Sequence, residues 1–83
     1  MAAMPSFLVE LYLPAATAER REAIVRAARA VASADVRYLR SIFLPEEDTC
    51  FHEYESASGD VLAALLAHAE LPYQRLIEAT VVA

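Results

Sequence analysis

Apolar residues alternate with other side chains in four stretches of the chain and recur at helical spacing in two. From Ser6 to Leu13, the residues Phe7, Val9, Leu11 and Leu13 interleave with Leu8, Glu10 and Tyr12, which predicts a strand stopped by Pro14. Thr17 is placed to cap a helix from about Ala18 to Ser33, with Ile24, Ala27, Ala28 and Val31 on one face and Glu22, Arg26 and Arg29 on another. Two further period-two runs, Val36 to Leu44 and Thr49 to Glu55, flank Pro45-Glu46-Glu47-Asp48 and predict a hairpin. Its turn lacks glycine, which favours type I geometry. Ser58 caps a second helix, with Asp60 in its first turn and a stripe of Val61, Leu62, Leu65, Leu66 and Ala69, ending before Pro72. Tyr73 to Val82 reads as a last strand.

The order βαββαβ, with right-handed crossovers, places both helices on one face of a four-stranded antiparallel sheet ordered four, one, three, two. The expected fold is a single ferredoxin-like α+β sandwich over residues 1–83. Its other sheet face is open, and strand parity says what stands there. The first strand sends Phe7, Val9, Leu11 and Leu13 to the helices and Leu8, Glu10 and Tyr12 outward. The second is expected to send Leu39, Ser41 and Phe43 inward and Tyr38, Arg40 and Ile42 outward. In the third, Phe51 is taken inward, exposing Cys50, His52 and Tyr54; a slip of one residue would bury His52 and expose Glu53. Leu76, Glu78 and Thr80 are assigned to the open face of the fourth. An apolar patch of this extent asks for a cover, and a second copy of the chain is the expected one.

Composition narrows the partners. Although 58% of the residues are hydrophobic, 18 positions are alanine, so one modest core with close helix packing is expected. The net charge of −5 and pI of about 4.8 repel phosphate backbones and anionic lipid, which argues against nucleic acid and membrane partners. Cys50 is the single cysteine, so no intrachain disulfide can form, and the start of the chain does not read as a signal peptide. A cytoplasmic location is expected. Gly59 as the lone glycine rules out a glycine-rich phosphate loop.

Several residues could carry chemistry on the open face. Cys50 and His52, two apart on one strand, could ligate a divalent transition metal. Glu10 with His52 could form an acid/base pair, Arg40 could clamp a carboxylate, and Tyr12, Tyr38, Tyr54 and Glu78 could line a ligand site. The acidic run Glu46-Glu47-Asp48 reads as a solvated hairpin tip, and His68 as a surface residue.

The runs Phe7-Leu8-Val9-Glu10 with Leu13-Pro14, Val36-Arg37-Tyr38-Leu39-Arg40-Ser41, Tyr54-Glu55-Ser56-Ala57-Ser58, and Leu71-Pro72 followed by Glu78 resemble the small ferredoxin-like nickel-binding protein family, a numbered domain of unknown function. The resemblance covers nearly the whole chain and implies the same fold and the binding of nickel or another divalent transition metal; no organic cofactor is implied. Family members often carry histidine where this chain has Arg40, cysteine where it has His52, and histidine where it has Leu65. The expected function is thus a homo-oligomeric protein binding a metal ion or small ligand on its open sheet face. The alternative is a cofactor-independent dimeric α+β barrel enzyme, an isomerase, cyclase or oxygenase, acting on a small organic acid or polyketide-like substrate. A third reading is an interaction module without ligand.

Overall fold

The computed structural model describes residues 4–80 and 82. Its elements run β1 (Ser6–Tyr12), α1 (Ala18–Ala30), β2 (Val36–Leu44), a 3-10 turn (Pro45–Glu47), β3 (Thr49–Ser56), α2 (Gly59–His68) and β4 (Arg75–Ala79). All strand pairs are antiparallel, in the order β2-β3-β1-β4. This is the ferredoxin-like α+β sandwich expected from the βαββαβ pattern. Both helices pack on one face, where Ala28 and Val31 of the α1 segment and Leu62 and Leu66 of α2 meet Phe7, Val9, Val36 and Tyr54. A smaller buried group, Leu11, Leu13 and Cys50, closes the other end of that layer.

Local signals act as expected at the caps. Thr17 Oγ1 accepts from the Arg20 amide, and Ser58 Oγ from that of Val61, satisfying amides that a helix start leaves free. Helix α1 ends at Ala30 rather than Ser33, and β4 spans Arg75–Ala79 rather than Tyr73 to Val82. In the hairpin, Asp48 takes a left-handed conformation, φ 49°, after the 3-10 turn.

Strand parity holds in β1 and fails in three places. In β3, Cys50, His52 and Tyr54 face the helices, and Phe51 and Glu53 stand on the open face. The ladder explains this. Directly opposed residues share a face, and Phe7, Val9 and Leu11 are opposed by Tyr54, His52 and Cys50. Tyr54 also donates its hydroxyl to the Ala28 carbonyl of α1, a bond available only from the inner face.

In β2 the pairing shifts between Tyr38 and Arg40. Leu39 is the unpaired residue of a bulge, and one extra residue inverts the alternation. Val36 and Tyr38 therefore face the helices before the bulge, and Ser41 and Phe43 after it. Tyr38, expected on the open face, instead packs edge-on against Tyr54 with ring centres 5.6 Å apart. In β4, Leu76 opposes Val9 and packs into the core beside Gly59, and Glu78 opposes Phe7. Strand parity read from the sequence expects both on the open face; Arg75, Ile77 and Ala79 stand there instead. Thr80 lies beyond β4, and Val81 lies outside the described residues.

Candidate functional site

The two faces of the sheet now divide the candidate residues. Glu10, Tyr12 and Arg40 are on the open face as expected. Cys50, His52, Tyr38 and Tyr54 are on the other, so Glu10 and His52 cannot form an acid/base pair across the sheet. Glu10 is held by Arg75, its ladder partner, through a fork of 2.6 and 3.4 Å. That guanidinium keeps the Glu10 carboxyl below the usual carboxylate range. Arg40 pairs with Glu53 at 3.1 Å, and Arg37 with Glu55 at 3.4 Å. The open face thus carries three cross-strand ion pairs amid Leu8, Tyr12, Ile42, Phe51 and Ile77. Tyr12 is 57% exposed and Ile42 42%.

On the helix side, His52 is fully buried. Its Nδ1 lies 2.7 Å from Ser41 Oγ, and Ser41 Oγ lies 2.6 Å from the Tyr38 hydroxyl. Its Nε2 has no hydrogen-bond partner, and among the described residues it is the buried side-chain polar atom left in that state. Such an atom costs on the order of 1–3 kcal/mol unless something answers it. Burial also pushes the imidazole down to about 4, so it is neutral at physiological pH.

His52 forms part of the wall of a cavity of about 240 Å³ between α1, the sheet and the link from α2 to β4. Leu11, Ile24 and Leu71 make it apolar; Ala23, Ala27 and Ala69 leave the room that larger side chains would fill. Arg20 and Glu70 supply one charge of each sign. With Nδ1 engaged by Ser41, Nε2 is the polar atom of the imidazole left without a partner. Arginine fills all seven Lys+Arg positions of the sequence, so it offers no lysine amine for covalent chemistry. The cavity was not legible in the sequence. Its signal was the alanine-rich face of α1 opposite a strand that carries one histidine.

A metal site at Cys50 and His52 is expected from their spacing, two apart on one strand. Cys50 Sγ lies 3.9 Å from His52 Nδ1, the nitrogen that Ser41 already engages. Burial pushes the thiol up to about 11, away from the thiolate a metal needs. Among the described residues no three His, Cys, Asp or Glu side chains are grouped to hold an ion. Among the described residues, then, Cys50 and His52 stand as a pair of donors with no third His, Cys, Asp or Glu side chain grouped beside them.

No family model matches the chain. No curated protein matches it either. Among solved structures, the chain is similar to the crystal structure of SCO4226 from Streptomyces coelicolor A3(2), with a TM-score of 0.77 at 15% identity over 94% of this chain and 99% of that one. At that identity the likeness is one of fold. No helix among the described residues is long and apolar enough to cross a membrane.

Proposed function

We propose that the protein binds a small, mainly apolar molecule in the cavity between its helices and sheet, and that it acts as a homo-oligomer joined through the open sheet face. The observation that carries the ligand reading is His52 Nε2, fully buried, without a partner, on a residue of the cavity wall. Ligand sites are apolar hollows with a few placed polar groups. An apolar cavity of about 150 Å³ takes up benzene, so about 240 Å³ suits a substituted ring. The site therefore moves from the open face, where ligand binding was expected, to the opposite side of the sheet.

Self-association rests on the open face. Each of Glu10, Glu53 and Glu55 already has an arginine across its ladder. A second copy could cover the apolar residues between them without stranding an unpaired charge. Catalysis in the same cavity would draw on His52, Arg20 and Glu70 and not on Glu10, which is on the other face.

Methyl-resolved NMR tests the first part and light scattering the second. Titration with indole is expected to shift the methyl signals of Ala23, Ala27 and Ala69, and nickel(II) chloride to leave unaffected those of Val9 and Leu11, the ladder partners of His52 and Cys50. Silence toward indole with nickel-dependent broadening around Cys50 would overturn the ligand reading in favour of metal binding. Light scattering is expected to give a dimer or larger assembly that Ile42→Glu dissociates; a monomer at all concentrations would remove the second part.

A further inference from the structure

The cavity's histidine is the inner end of a chain of hydroxyls. We propose that Tyr38, Ser41 and His52 form a reversible hydrogen-bond relay that lets Nε2 either donate to or accept from a bound molecule. The guest is then a small neutral compound with an apolar body and one polar group of either kind, carbonyl or N–H. This rests on the reading that the cavity binds a ligand.

The chain can run in two directions. In one, the Tyr38 hydroxyl donates to Ser41 Oγ, the Ser41 hydroxyl donates to Nδ1, and Nε2 carries the proton, ready for a carbonyl. In the other, Nδ1–H donates to Ser41 Oγ, the Ser41 hydroxyl donates to Tyr38, and Nε2 presents a lone pair, ready for an N–H. Neither direction breaks a bond between the three residues, because both bridging groups are hydroxyls that rotate. Tyr38 is half-buried, so in the second direction its own proton can turn to water. The imidazole stays neutral in both, as its burial requires. Other ionisable groups near it do not choose the direction: Cys50 Sγ sits 3.9 Å from Nδ1 as a thiol, and Arg20 and Glu70 oppose each other in sign on the cavity wall. Ser41 and Tyr38 are thus positioning residues. They set what His52 offers without touching the guest.

Indole and acetophenone test this as a pair matched in size, the first able only to donate through N–H and the second only to accept through its carbonyl. Nitrogen-15 NMR of the imidazole in the intact protein is expected to show the Nδ1–H form with indole bound and the Nε2–H form with acetophenone bound. α-Methylstyrene, which has the shape of acetophenone without its oxygen, is expected to bind roughly 5- to 10-fold more weakly. In Tyr38→Phe the ring packing remains, and the Ser41 hydroxyl is left with Nδ1 as its acceptor within the chain. That fixes Nε2–H, so indole is expected to weaken while acetophenone binds as before. The same tautomer with both probes, while the alanine methyls shift, would overturn the relay and leave the ligand reading standing. So would a Tyr38→Phe protein that weakens both probes alike. If neither probe shifts the alanine methyls, the ligand reading itself fails and the relay goes with it.

Discussion

Ser41 Oγ sits 2.7 Å from Nδ1 of His52, its ladder partner across the β2–β3 pair, and the bond lies under the helices. It satisfies one side of an imidazole that burial holds at about 4, against an ordinary value of 6.5. Between those values the unfolded chain binds a proton that the folded chain refuses. The contribution of His52 to stability is therefore complete above about pH 6.5 and is lost as the pH falls toward 4, by on the order of 3 kcal/mol. Urea unfolding across that range is expected to show a shallower decline in His52→Leu than in the native sequence. Parallel curves would mean that the imidazole titrates normally.

Tyr54→Phe removes the phenol that donates to the Ala28 carbonyl. The same carbonyl also accepts from the Val31 amide at 3.2 Å, so it is not orphaned. The expected loss is about 1 kcal/mol, with the edge-on contact to Tyr38 kept. Chemical denaturation would measure it, and a loss several times larger would mean that the hydroxyl does more than tie β3 to α1.

Two arginines on the open face should differ. The Glu53 side chain is 11% exposed and that of Glu55 27%, while both arginines are mostly in solvent. Arg40→Leu strands a nearly buried carboxylate and is expected to cost about 1–2 kcal/mol. Arg37→Leu breaks a screened surface pair and should cost less than about 0.5 kcal/mol. Thermal unfolding of the two variants side by side decides the order; equal losses would contradict it.

Glu70 follows the end of α2 with φ 56°, in the left-handed region where glycine is favoured. Its amide donates to the Ala67 carbonyl, and that of Leu71 to the Leu66 carbonyl, so the turn is a closed helix cap. Its negative charge also stands at the wrong end of the helix dipole. Glu70→Gly is expected to raise stability by about 0.5–1 kcal/mol, read from the urea midpoint. A destabilised variant would show that the carboxylate has a favourable partner in solution.

Cys50 is fully buried, and its thiol is pushed up to about 11. Reaction with a disulfide reagent at neutral pH should therefore wait for unfolding and accelerate with denaturant in step with it. Fast labelling of the native protein would place the thiol in a more open setting.

Much of the fold could be read from local signals because those signals are self-contained. The period of two in Phe7-Val9-Leu11-Leu13 identifies both the strand and its buried face, and Thr17 and Ser58 announce the helices they cap. The candidate site was read less well. In β3, aromatic and polar residues alternate with no clear apolar face, so parity depended on what β1 placed opposite. In β2, a bulge without glycine inverted Tyr38. In β4, Leu76 and Ile77 are equally apolar neighbours, and contact beneath Gly59 and α2 chose between them.

The order of strands and helices, the caps, the acidic charge and the absence of an intrachain disulfide were determined by the chain alone, since each depends on spacing within a few residues or on counting. Tertiary structure decided which nitrogen of His52 is engaged, which arginine meets Glu10, and that the histidine forms part of a cavity wall. Those outcomes depend on ladder register, where one residue of slip exchanges the two faces of a strand, and on the space left by alanines drawn together from separate elements.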